Sequence, residues 1–420
     1  MFTALLGALF FALGVNATSA YAAEGEGLQG ALSSGNQPVA GVKINATQNG
    51  QPVGSVVSGA DGKWTLSVPP GKYEVVLDES TLPENVGLQG AAGPTRSLEV
   101  FEGAMRNVLY PLGPVGAGAP PPESEPTMLD RLPNLVYTGV HIGLILALGA
   151  LGVSLIFGTM GLTNFAHGEL ITFGALAAFV FNSTIGLPLW LALVLAVVAG
   201  GGFGWLQDRF FWGWLRKRRT GLVGMMIVSI GLAMVLRYVF LFQFRGDTRQ
   251  YADYAAQAGV EIGPLLIAPK NLIMDAVAIL VLVAVSFALL KTRLGKATRA
   301  VSTNPSLAAA SGIDVDKIIR LIWTIGGALA ALSGVMLGMF QGVNFQMGFQ
   351  MLLLVFAAVT LGGLGTAFGA LLGSMVVGVV TQVSTLWVPT ELKNVSALAA
   401  LIIILLIRPQ GILGRRERIG

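Results

Sequence analysis

Two kinds of hydrophobic patterning divide the chain. Between residues 24 and 113 the apolar positions come in short, partly alternating stretches: Val42, Ile44, Val53, Val56, Val57, Trp64, Leu66, Val68, Tyr73, Val75 and Leu77. Asn49-Gly50 and Asp61-Gly62 fall between stretches as hairpin turns, and Pro69-Pro70-Gly71 introduces the next strand. This pattern predicts a small all-β domain. From Leu132 onward the alternation gives way to long apolar runs, at 134–158, 165–183, 187–206, 221–242, 271–290, 319–341, 351–368, 369–388 and 395–407. Most of these reach the length of a membrane helix; the last is short. Gly362-Gly363-Leu364-Gly365 interrupts the seventh run, where a re-entrant segment is an alternative. Eight to ten transmembrane helices are expected.

Two further segments complete the map. Residues 1–22 read as a signal peptide, with an apolar run of 11 residues from Leu5 to Val15 and the small-x-small pattern Ala20-Tyr21-Ala22. No Lys or Arg precedes that run. Residues 114–126, rich in Pro and Gly, lack the large side chains needed for a core and are expected to be a linker. The divisions are therefore 1–22, 23–113, 114–126 and 127–420.

Composition sharpens the membrane assignment. Apolar residues make up 54% of the 420 and charged residues 11%, whereas soluble domains carry roughly 25% charged residues. With no cysteine, a disulfide scaffold and a thiolate metal site are excluded. Residues 24–126 carry net charge −6 and residues 127–420 carry +10, together the +4 of the whole chain. No basic stripe is interleaved with aromatics, so nucleic acid is not an expected partner. With the β domain outside, the inside loops at 207–220, 291–318 and the tail, counting Arg320 at the edge of its run with the second loop, hold 15 Lys and Arg against 5 outside. That bias fits the positive-inside rule and a multi-pass protein of the cytoplasmic membrane.

Candidate chemistry is sparse. The most polar cluster among the runs is Thr163-Asn164-Phe165-Ala166-His167-Gly168-Glu169. A carboxylate at bilayer depth must face protein or a water-filled cavity, which points to a transport pathway. The alternative is a helix start at the cytoplasmic edge, capped by Asn164, with His167 and Glu169 in interfacial water. A zinc site of the HExxH kind and a G-x-S-x-G elbow are both absent, so no catalytic residue and no metal site are expected. A P-loop is also absent: Gly62-Lys63 is followed by Trp64, and Gly295-Lys296 by Ala297. ATP-Mg would have to be bound by a partner. On the loop 291–318, Asn304-Pro305 starts a short helix that Gly312 can end. Its small residues suit docking into a partner's groove. Gly334, Gly338 and Gly342, and likewise Gly369 and Gly373, stand four apart and predict close helix packing.

Two resemblances follow from these motifs. Gly59-x-x-Gly62-x-Trp64 and Pro70-Gly71-x-Tyr73 resemble the carboxypeptidase-regulatory-like β-sandwich family, a non-catalytic add-on. Residues 134–419 resemble the LivH-type permease subunit of branched-chain amino acid ABC importers. The motifs that carry it run from Gly158 to Leu170, from Arg299 to Ile313, from Gly362 to Gly369 and from Arg408 to Gly414. This resemblance implies an all-α polytopic membrane protein behind a small extracytoplasmic all-β sandwich. It implies a second homologous permease subunit, two cytoplasmic ABC ATPases and an extracytoplasmic substrate-binding protein as partners. Asn164, His167 and Glu169 would belong to a signature near the translocation pathway. Asn304, Pro305, Leu307, Ala308, Gly312 and Ile313 would form the ATPase-coupling region. The family's coupling loop usually has an acidic residue near Asn304-Pro305, and this chain has none there. Rival functions are a urea or short-chain amide importer of the same architecture, a stand-alone channel or secondary carrier, and a membrane-anchored adhesion module.

Overall fold

The computed structural model describes residues 27–34, 37–48, 50–69, 71–88, 93–100, 105–114, 128–252, 260–263, 265–408 and 410–413. The expected signal peptide and nearly all of the expected linker lie outside the described residues. These fall into two compact units, one ending at Pro114 and one beginning at Met128.

The first unit is built from short strands: β1 (Gly27–Ala31), β2 (Ser33–Ser34), β3 (Gln37–Pro38), β4 (Lys43–Gln48), β5 (Gln51–Val57), β6 (Lys63–Ser67), β7 (Gly71–Leu77), β8 (Val86–Leu88), β9 (Thr95–Val100), β10 (Met105–Asn107) and β11 (Leu112–Pro114). They form three sheets ordered β5-β4-β7-β9, β10-β1-β6 and β3-β2-β11-β8. All three surround one core containing Leu28, Ile44, Trp64, Tyr73, Val75 and Tyr110. Buried Tyr110 donates its hydroxyl to the Val75 carbonyl at 2.8 Å, and burial pushes its pKa up to about 12. Strands β4 and β5 form the expected hairpin, pairing up to Gln48 and Gln51, with Gly50 at φ +79° before β5. The other expected hairpin is not one: Asp61-Gly62 joins β5 to β6, which pair in different sheets. Val53 and Val57 are 41% and 56% exposed because they alternate with Gly54 and Val56, which face the core.

The second unit contains α1 (Met128–Met160), α2 (His167–Phe179), α3 (Leu189–Gln207), α4 (Gly213–Lys217), α5 (Leu222–Phe244), α6 (Pro269–Lys291), α7 (Arg293–Thr303), α8 (Pro305–Ala310), α9 (Val315–Gln341), α10 (Met347–Gly362), α11 (Ala367–Val383) and α12 (Lys393–Ile407). A small hairpin of β12 (Val260–Ile262) and β13 (Leu265–Ile267) precedes α6. Among the described residues, six helices are long and apolar enough to cross a membrane: α1, Leu189–Lys217, α5, α6, α9 and Ala367–Leu386. Helices α10 and α12 are shorter apolar helices, and α2 is buried along its whole length. Eight of the nine expected runs are therefore helical over most of their length, while the seventh, 351–368, breaks after Gly362 and its last two residues open α11. The expected inside loop 207–220 is instead mostly helix, continuing through a π-turn at Asp208–Trp212 into α4. Asp208 accepts from Arg216 at 2.6 Å, eight residues on and about two turns later, which holds that stretch closed.

Helices in lipid gain little from hiding apolar surface, so they associate by close packing of small residues. Helix α1 meets α11 through Gly139, Gly143 and Gly378. Helix α9 meets α2 at Gly334, where any Cβ would collide with the Ile171 carbonyl. Gly342 departs from the expected glycine face: it follows the last turn of α9 at φ +87° and ends the helix. Gly363 and Gly365, at φ +109° and +76°, make the tight reversal between α10 and α11.

Candidate functional site

The two shortest inner helices begin in the same way. Before α2 the chain reads Asn164-Phe165-Ala166-His167-Gly168; before α10 it reads Asn344-Phe345-Gln346-Met347-Gly348. Each asparagine accepts, through Oδ1, from the N–H two residues on, at 3.0 Å for Ala166 and 2.9 Å for Gln346. Each asparagine carbonyl also accepts from the N–H three residues on, at 3.3 and 3.4 Å. Each turn follows the end of a long, deeply buried helix, α1 or α9. The two starts then meet, because a Cβ on Gly348 would strike the Gly168 carbonyl and one on Gly168 would lie 2.7 Å from that of Gly348. The Gly348 N–H donates to Thr172 Oγ1 at 3.1 Å, tying α10 to α2. Asn164 thus shapes the turn before α2 and does not cap it; the cap position is Ala166, with no side-chain bond.

His167 and Glu169 are 0% and 1% exposed, so neither sits in water at a helix edge. The imidazole fills a notch on α1, with Cε1 3.1 Å from where a Cβ on Gly152 would stand. Glu169 Oε1 accepts from Nε and Nη2 of Arg237 at 3.1 and 2.9 Å. Helix α5, which carries Arg237, also receives the Phe165 N–H on Ser229 Oγ at 3.1 Å. The Arg237 guanidinium lies 3.8 Å from the centre of the Phe349 ring. Phe349 stands five residues after Asn344, as Glu169 stands five after Asn164. Arg237 therefore binds the equivalent position of both half-helices, one as an ion pair and one as a cation–π contact.

Two other polar clusters hold helices together. Asp275 on α6 lies 2.6 Å from His141 Nδ1 and accepts from the Tyr137 hydroxyl at 3.0 Å, both on α1. Fully buried Asp208 is paired with Arg216 and, at 3.6 Å, with Arg320 of α9, while Arg216 reaches Asp316 at 3.1 Å. Trp212 stacks on Trp323 beside them, ring centres 5.4 Å apart.

The helix expected after Asn304 forms as its residues dictate. Asn304 Oδ1 accepts from the Leu307 N–H at 2.9 Å, and Pro305 takes the first helical position. Gly312 at φ +83° ends the turn, with the Ile313 N–H donating back to Ala308 at 3.0 Å. Leu307 is 65% exposed, while Ala308 faces the protein. Of the two, only Leu307 can contribute to a docking surface.

The family model described as "Branched-chain amino acid transport system / permease component" matches residues 136–407. The chain belongs to this permease family. It is 32% identical over 295 residues to the high-affinity branched-chain amino acid transport system permease protein LivH of Escherichia coli K12, covering 67% of this chain and 95% of that one. The corresponding protein BraD of Pseudomonas aeruginosa is 30% identical over 307 residues, covering 70% and 98%. Among solved structures, PsaBC from Streptococcus pneumoniae in complex with Fab aligns with TM-score 0.39 and 14% identity, covering 67% of this chain and 96% of that one.

Sequence reasoning singled out Glu169 in this permease but not its partner, which lies 68 residues away. Arg237 and Asp275 carried a usable signal, since ionisable residues within apolar runs mark functional or pairing positions. The structure joins Asn164, His167 and Glu169 at one turn. The Asn304–Ile313 segment is a separate exposed feature between α7 and α9.

Proposed function

We propose that this permease is the membrane-spanning subunit of an ATP-driven importer of branched-chain amino acids. The observation that carries the reading is similarity across 95% and 98% of the length of two relatives named for that transport. In the proposed assembly it pairs with a second homologous permease, so that the two enclose the pathway. Two cytoplasmic ATPases hold ATP-Mg, and an extracytoplasmic binding protein delivers the amino acid. The charge bias of the loops supports placing α7 and α8 on the cytoplasmic side of the inner membrane. The β unit then lies outside.

No covalent step belongs to this chain. ATP binding closes the ATPase pair and pulls on the exposed surface of α8, turning the cavity outward; hydrolysis returns it. Transport results because the two conformations contact substrate differently. Labelled leucine uptake at low micromolar concentration, in cells with and without the gene, tests the substrate. Loss of uptake restored by the gene is expected; unchanged uptake with the protein verified in the membrane would contradict it. Leu307→Asp places a charge on the proposed docking surface and is expected to reduce ATPase co-purification at least about tenfold, as loss of a central interface contact does. Membrane insertion should be unaffected. Undiminished co-purification would refute docking at α8.

A further inference from the structure

The face beside Arg237 does not look like a lipid-facing surface. Helix α6 shows what lipid contact demands, presenting Ile279, Leu280, Val283 and Phe287 outward. At the start of α10, by contrast, Gln346 just before the helix and Gln350 within it are exposed on either side of Phe349. The Arg237 side chain keeps 17% of its surface open, although its partner Glu169 is buried. An ion pair and two amides would be costly against hydrocarbon, so the face must meet water or protein.

The pair is also incompletely used. Both bonds from Arg237 reach Glu169 Oε1, while Oε2 is buried without a hydrogen-bond partner. Asn164 Nδ2, at the same half-helix start, is likewise buried and unpartnered. Nη1 of Arg237 takes no part in the pair. One arrangement therefore brings together an unsatisfied carboxylate oxygen that is buried in this conformation, a partly open guanidinium and an exposed aromatic ring, with no net charge in the ion pair. A solute that matches all three carries an ammonium, a carboxylate and a hydrocarbon tail, and is itself neutral overall.

We propose that Glu169, Arg237 and Phe349 form a contact station for the permeating substrate, taking the zwitterionic head of an aliphatic amino acid across the ion pair and its tail on the ring. The proposal rests on the importer assignment above and adds a substrate contact within the permease itself. It favours zwitterions over neutral amides, which would leave the charged groups unmatched.

The test uses the complete importer in proteoliposomes and reads leucine moved per ATP hydrolysed. Phe349→Ala removes an exposed ring, and the double variant Glu169→Gln with Arg237→Gln keeps polar contact while removing both charges. Leu280→Ala on α6 serves as the lipid-facing control. Both site variants are expected to lower the ratio at least about tenfold, the effect of losing one charge-assisted contact, with the control within about twofold of wild type. In competition, 4-methylpentanoate and 3-methylbutylamine, which lack the ammonium and the carboxylate respectively, should inhibit leucine uptake at least about tenfold less well than isoleucine. A wild-type ratio in both site variants would overturn the station while leaving the importer assignment intact. So would a fall in protein amount with unchanged turnover per molecule. Wild-type proteoliposomes that hydrolyse ATP but move no leucine would overturn the importer assignment, and the station with it.

Discussion

The starts of α2 and α10 share a backbone and differ in chemistry. Both use an asparagine to fold the turn, a phenylalanine next to it and a glycine where the helices cross. At the equivalent positions, α2 carries buried His167 and Glu169 where α10 carries buried Met347 and exposed Phe349. The repeat supplies a rigid crossing, and the divergent side chains supply an asymmetric grip on one arginine. Backbone similarity thus serves architecture, and the proposed substrate contacts lie where the copies disagree.

The sharpest way to break this comparison is to remove the shared arginine. Arg237→Ala leaves Glu169 buried without its charge partner, a loss of about 3–5 kcal/mol. Little monodisperse protein should survive extraction from the membrane, whereas the doubly neutral variant should be recovered. Normal recovery of Arg237→Ala would mean that the pair contributes no stability. A smaller effect is expected at the crossing. Gly348→Ala drives a Cβ into the Gly168 carbonyl and should cost about 1–3 kcal/mol, seen as a lower melting temperature. Gly202→Ala, with open space around it, should melt no lower than wild type. Equal melting of the two alanine variants would argue against a tight crossing. The smallest effect separates the two turns themselves. Asn164 is buried and Asn344 half-exposed, so Asn164→Ala should cost about 1–3 kcal/mol and Asn344→Ala about 0.5–1.5 kcal/mol. The reverse order in thermal unfolding would show that the turns are not built alike.

What could be read from the sequence was local. Asn304, Pro305 and Gly312 specify α8 through neighbours within a few residues, so its start and end were legible. So were the apolar runs and the glycine reversal after α10. Asn164 misled because one residue type suits both a helix cap and a turn, and only the following backbone decides. Asp61-Gly62 misled similarly, since a tight turn does not reveal whether its flanking strands share a sheet. The inward direction of Ala308 was not legible, because a single-turn helix has too few residues to show a face. The Glu169–Arg237 pair joins distant positions and left only two isolated charges in apolar runs. The repeated Asn-Phe-x-x-Gly was visible, but five residues acquire meaning only when both copies are seen at the starts of crossing helices.

A substrate contact at Glu169, Arg237 and Phe349 requires that the face joining the starts of α2 and α10 meets water and not a protein partner. The chain contains no cysteine, so a single introduced thiol reports its own surroundings without background. Gln350→Cys on α10 and Ile279→Cys on α6 would be exposed in the assembled importer to a membrane-impermeant thiol reagent. Rapid labelling of the former with protection of the latter is the predicted result. Protection of Gln350→Cys equal to that of Ile279→Cys would place the face against lipid or against a protein partner, and either would contradict the account.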